Sequence, residues 1–156
     1  MLHGTGHVAE MLLVDDVVDV QAYDAVVLGS PLYESRWLKA AHRFAKTEGA
    51  ALRQRPLWLF SSGPLDDSAS KSAIPPVPTV HQLMIRLNGR EHITFGGCLR
   101  PGSGNWLADR YLRPEHYGDF RDFEQISAWS RQVGSRIRRP KRRGLLSRRQ
   151  GAPKGP

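Results

Sequence analysis

Two short stretches carry the groups best suited to holding a ligand. Gly29-Ser30-Pro31-Leu32-Tyr33 closes one apolar run and Ser61-Ser62-Gly63-Pro64 closes another. In the first, Ser30 offers a hydroxyl donor, Pro31 stiffens the turn and Tyr33 presents an aromatic face. In the second, successive N–H groups of a glycine-containing turn can cradle an anion or the edge of a heterocycle. Taken alone, each reads more simply as an ordinary polar turn, with Tyr33 as half-buried packing. Taken together they gain meaning if the preceding strands are neighbours, because the two loops then converge on one cleft. His3-Gly4-Thr5-Gly6 is a third stretch, with the composition of a loop that holds phosphate at a helix start.

Other chemistry has weaker support. The six histidines show no metal spacing with Cys or acidic residues. No serine has the strand–elbow–helix context of a hydrolase nucleophile. Cys98 is the sole cysteine, so no intrachain disulfide can form, which fits a reducing cytoplasm. Such a cysteine is more often a small buried hydrophobe than a cleft residue. Trp106, Tyr111, Tyr117 and Phe120 could cover a flat ligand or pin a long loop to the body.

The elements that must position these loops follow from hydropathy. Tyr23-Asp24-Ala25-Val26-Val27-Leu28-Gly29 is apolar without alternation, as in a parallel strand covered on both faces. Leu57-Trp58-Leu59-Phe60, launched by Pro56, and His92-Ile93-Thr94-Phe95, closed by Gly96-Gly97, predict two more strands. Residues 8–14 predict a fourth. Between them lie helical patterns. Trp37, Leu38, Ala41, Phe44 and Ala45 share one face, and so do Val80, Leu83, Met84 and Leu87, with Gly89 as the C-terminal cap. Asp122 and Gln125 predict a capping box, followed by a helix with Ile126, Trp129, Val133 and Ile137 on one face. Residues 64–78 and 99–120 are long connections, a length that points to function or motion. Alternating strands and helices imply a parallel α/β sheet with ligands at the carboxyl ends of its strands.

The chain of 156 residues is one domain with no apolar run long enough to cross a membrane as a helix and no signal-peptide pattern. Its net charge of +8 is uneven. From residue 136 to 156 there are nine Lys/Arg and no Asp/Glu, which leaves 14 basic against 15 acidic residues elsewhere. A uniformly basic nucleic-acid-binding face is therefore not supported, and no specific nucleic-acid motif is present. The expected organisation is a folded body over 1–138 and a basic, disordered tail over 139–156. Such a tail could meet an anionic lipid surface or nucleic acid by charge attraction.

The stretches YDAVVLGSPLYESRWLKAAHRF, PLWLFSSGPL, EHITFGGCL and GDFRDFEQISAWSRQV, in this order, resemble the flavodoxin-domain family over roughly residues 6–138. Within it they are most similar to the menaquinone-dependent protoporphyrinogen IX dehydrogenase-like proteins. The resemblance implies a three-layer α/β/α flavodoxin-like fold and an FMN-dependent oxidoreductase or electron-transfer function. It implies FMN as the cofactor, with Ser30, Pro31, Leu32 and Tyr33 on one side of the flavin and Ser61, Ser62, Gly63 and Pro64 on the other. Backbone N–H groups there would tune the flavin electronics, and no side chain need act as acid, base or nucleophile. A quinone or another redox partner, and the inner face of an anionic membrane reached by the tail, are the implied contacts. Residues 102–117 occupy the loop that assists substrate or membrane contact in such relatives.

The family begins with a strand and a Ser/Thr-Gly phosphate loop, and His3-Gly4-Thr5-Gly6 could be aligned with that loop. Too few residues then remain before Tyr23 for a helix and a second strand. With Gly6-His7 as the turn after the first helix, residues 8–14 become the second strand and the spacing fits. The expectation is therefore a sheet lacking the first strand, the phosphate loop and most of the first helix, with FMN binding weakened accordingly. The rival expectation is a non-catalytic interaction protein on the same scaffold.

Overall fold

The structure, a computed structural model, describes residues 6–100 and 117–137. Three apolar runs form the parallel strands β1 (Val26–Tyr33), β3 (Leu57–Ser62) and β4 (Glu91–Phe95), and β2 (Arg36–Trp37) turns back antiparallel on the end of β1. The sheet order is β2-β1-β3-β4. Helices α1 (Lys39–Thr47), α2 (Gly49–Arg53) and α4 (Pro78–Leu87) join the parallel strands, and a short α3 (Ser68–Lys71) lies within the connection from β3 to α4. A two-stranded ribbon of β5 (Cys98–Leu99) and β6 (Gly118–Asp119) precedes α5 (Phe123–Arg136).

Alternation along each strand sends side chains to two faces. On one face Leu28, Leu57 and Leu59 pack with Ala41, Ala45, Leu52, Val80, Leu83 and Leu87 from α1, α2 and α4. On the other, Trp58 and Phe95 pack with Trp129 and Val133 of α5. Burying a side chain such as Leu57 or Leu59 stabilises the fold by about 1.5–3 kcal/mol each. The result is the expected mostly parallel α/β arrangement with helices on both faces.

Three local expectations change. The pattern over Trp37 and Leu38 suggested a helix from that point, but α1 starts at Lys39 and Trp37 belongs to β2. The hairpin that takes Trp37 out of the helix turns through Glu34 and Ser35, both left-handed at φ 48° and 59°. Such a two-residue loop matches strand twist but usually recruits Gly or Asn, so the sequence hid it. At the end of α4 the left-handed cap is Asn88, while the Gly89 N–H donates to Met84 O at 2.8 Å. At α5, Asp122 caps Glu124 N and Gln125 N, but the Gln125 amide donates to Ala69 O instead of returning to Asp122.

The largest difference is at residues 8–14, which form no strand. A strand needs a ladder partner, and this segment stands off from β1 across an open groove lined by Leu12 and Val14 on one side and Val26 and Leu28 on the other. Side-chain contacts hold it there. His7 Nε2 donates to Gly134 O at 2.9 Å, Tyr23 Oη donates to Glu10 at 2.7 Å, and Arg43 pairs with Asp15 at 3.1 Å. Val14 and Val17 pack on the leucine-rich core, whereas Val8 is fully exposed and Met11 is 96% exposed.

Candidate functional site

The carboxyl ends of β1, β3 and β4 lie side by side. Ser30 pairs in register with Ser61, and Ser61 with Thr94. These three residues form a polar row on the leucine-bearing face, and all three are buried. The row works internally. Ser30 Oγ accepts the Leu38 N–H at 3.1 Å and donates to Pro31 O at 3.0 Å, tying the end of β1 to the start of α1. Ser61 Oγ accepts the Trp37 indole N–H at 2.8 Å and lies 2.9 Å from His92 Nε2. Among the described residues, Thr94 Oγ1 and His92 Nδ1 are buried without a partner. Burial pushes His92 down to about 4, so its ring is neutral at ordinary pH.

Above that row the two expected loops meet. A Cβ on Gly63 would stand 2.8 Å from Leu32 Cβ, so only glycine lets the backbone after β3 approach the end of β1 this closely. The Gly63 N–H donates to Phe95 O at 3.2 Å, Ser62 Oγ donates to Gly96 O at 3.2 Å, and the Gly97 N–H donates to Pro64 O at 2.7 Å. These bonds lock the loops after β3 and β4 together. Pro31 and Tyr33 face solvent, with Tyr33 at 48% exposure.

Of the eight residues singled out from the sequence, six form one rim: Pro31, Leu32 and Tyr33 beside Ser62, Gly63 and Pro64. Ser30 and Ser61 lie beneath it with their hydroxyls engaged. The rim offers a flat heterocycle an exposed aromatic side chain and a proline edge, which suits stacking better than charge pairing. Sequence reasoning missed Trp37, His92 and Thr94. The available signal was positional: Ser30 and Ser61 are each the fifth residue of their strands, and Thr94 is the fourth of its own. His3, Gly4, Thr5, Trp106, Tyr111 and the tail from residue 138 lie outside the described residues, as does most of the loop over 102–117.

Beside the rim, the Phe120 N–H donates to Gly97 O at 2.9 Å and brings β6 alongside. There Arg121 donates to Asp119 at 2.7 and 2.5 Å and holds that carboxyl at about 2. Among the described residues there is no His, Cys, Asp or Glu cluster able to hold a metal ion, and no helix is long and apolar enough to cross a membrane.

A family model described as Flavodoxin domain matches residues 2–107. Comparison with curated proteins gives no match, and neither does comparison with solved structures. The family match spans more than half of the chain and covers the three parallel strands whose ends build the rim. The chain belongs to the flavodoxin-domain family.

Proposed function

We propose that this chain is an FMN-dependent oxidoreductase or electron-transfer protein that takes the flavin ring against the rim. Flavodoxin domains generally bind FMN. The observation that carries the reading is the contact of Leu32 with Gly63, which merges two loops at adjacent strand ends into one surface beside exposed Tyr33. Tyr33 stacks on the ring. Pro31 and Pro64 exclude water from its edges, and main-chain groups of residues 31–33 and 62–64 orient it. Ser30 and Ser61 act as positioning residues, holding α1 and the hairpin so that the rim keeps its shape. When bound, FMN supplies the redox chemistry.

The finer form of the proposal is a protoporphyrinogen IX dehydrogenase-like activity with a quinone as redox partner, working at the inner face of a membrane whose anionic surface attracts the basic tail. Adding the purified chain to FMN tests the core reading: a shifted flavin absorbance band and quenched fluorescence support it, and free-flavin spectra sink it. Porphyrinogen oxidation with a quinone acceptor then tests the finer form.

One observation favours a second reading. The Ser30 and Ser61 hydroxyls and the Gly63 N–H are spent inside the fold, while Val8, Met11, Leu13 and Val18 are exposed. A non-catalytic interaction protein would use such a surface, with the tail contacting anionic lipid or nucleic acid. Flavin-free spectra together with vesicle or nucleic-acid binding would favour it.

A further inference from the structure

Among the described residues, the backbone ladder holds β2 only through the pairing of Trp37 with Leu32 and of Arg36 with Tyr33. The turn that delivers it runs through Glu34 and Ser35, both left-handed, where residues other than Gly are strained. Tyr33, the aromatic side chain of the rim, belongs to this hairpin. A further anchor lies on the leucine-bearing face. The Trp37 indole reaches past β1 to Ser61 Oγ on β3 at 2.8 Å, and Ser61 Oγ lies 2.9 Å from His92 Nε2 on β4. One run of side chains thus joins both outer strands of the sheet through β3.

The direction of this run follows from what each group can do. An indole N–H only donates, so Ser61 Oγ accepts from Trp37. The hydroxyl keeps one proton to place, and Ser61 is completely buried, so bulk water does not take it. Among the described residues, only His92 Nε2 stands within reach. Two arrangements satisfy the distances. With the imidazole proton on Nδ1, the hydroxyl donates to Nε2, and Nδ1–H alone is bare. With the proton on Nε2, that N–H donates to Ser61, and both the hydroxyl proton and the Nδ1 lone pair are bare, because Nδ1 is buried without a partner among the described residues. The first strands fewer buried groups. Burial keeps the ring neutral, so its lone pair is free to accept. A hydroxyl that donates is also the better acceptor, because hydrogen bonds in series polarise one another.

We propose that His92, with its proton on Nδ1, is a positioning residue of the rim: it accepts the Ser61 hydroxyl, which holds the Trp37 indole and, through β2, fixes Tyr33 for the flavin ring. The role toward flavin rests on the function proposed above, whereas the anchoring stands on the hydrogen bonds alone. Both halves of the rim depend on it. Leu32 pairs with Trp37 across the hairpin, and Leu32 is also the residue on which Gly63 closes. Without an acceptor at Nε2, the Ser61 proton is satisfied only by turning the hydroxyl or by admitting water. Either change loosens its hold on the indole.

The test begins with long-range proton–nitrogen NMR of the intact, isotope-labelled chain near neutral pH. His92 is expected to show a protonated Nδ1 and a bare Nε2, and the reverse would overturn the proposal. Hydrogen exchange of the Trp37 indole gives a second readout. It should run about tenfold faster in His92→Leu, which removes the acceptor. It should return to the intact rate in His92→Gln, whose side-chain carbonyl can take the Ser61 proton. Equal exchange in all three folded chains would overturn the proposal. FMN affinity should follow the same order, about tenfold weaker in His92→Leu and restored in His92→Gln. Affinity lost equally in both variants would reduce His92 to packing and overturn its role. The ring and indole readouts need no flavin, so their failure strikes this proposal, while an intact chain that leaves FMN free strikes the flavin reading.

Discussion

The two faces of the sheet solve the same burial problem with different chemistry. Toward α5 the strands present Trp58, Phe60 and Phe95, and Trp129 meets Phe60 and Phe95 edge-on at ring separations of 6.4 and 5.6 Å. Toward α1 and α4 the strands present leucines, then a buried row of Ser30, Ser61 and Thr94 at the carboxyl ends. The aromatic face is held by shape and area, and tolerates little loss of volume. The other face ends in hydroxyls that fasten β2, α1 and β4 to one another directly beneath the rim. The aromatic face therefore rests on a few large rings, while the leucine face buries more side chains and its hydroxyl row sets the geometry of the candidate site.

The sharpest way to break this contrast is Trp129→Ala. It removes both edge-on contacts and the indole bond to Glu91 at 2.9 Å. The expected loss is about 3–5 kcal/mol in urea unfolding. Ser61→Ala should cost less, about 1–3 kcal/mol, because it strands the buried Trp37 indole N–H without emptying much volume. Its effect should also reach the rim, since β2 loses its link to β3.

His92 gives the hydroxyl face a pH dependence. Its folded value is about 4 against 6.5 in the unfolded chain, so between these values the unfolded state binds more protons. Stability is full above 6.5, falls as pH drops toward 4 and then levels. Because the ring is only half-buried, solvent screening holds this to about 1 kcal/mol. Melting curves across that interval should flatten in His92→Asn. The smallest effect belongs to Thr94→Val. Among the described residues Thr94 Oγ1 is buried and unpartnered, so replacing it with a methyl of like shape should leave the unfolding free energy unchanged or raise it by no more than about 1 kcal/mol, read from urea unfolding.

What the sequence disclosed divides along similar lines. Continuous apolar runs located β1, β3 and β4, and the period of Ile126, Trp129 and Val133 located α5, because long buried elements carry a period in their residue types. The strand proposed for residues 8–14 did not form, since apolar content says nothing about whether a ladder partner stands alongside. The hairpin through Glu34 and Ser35 was illegible because neither residue advertises a left-handed turn. At the site, composition marked both loops. It could not reveal that Ser30 and Ser61 point inward, because the inward pull comes from Leu38, Trp37 and His92, which join them only through strand register and the hairpin.

The central claim is that the rim beside the hydroxyl row receives a flavin. It is tested most directly by titrating FMN fluorescence with the intact chain and with Tyr33→Ala. The account predicts saturable quenching by the intact chain and an affinity about tenfold weaker in the variant, equivalent to ~1.4 kcal/mol of lost stacking. Unquenched FMN in the presence of a folded chain, or quenching that Tyr33→Ala leaves unchanged, would contradict it.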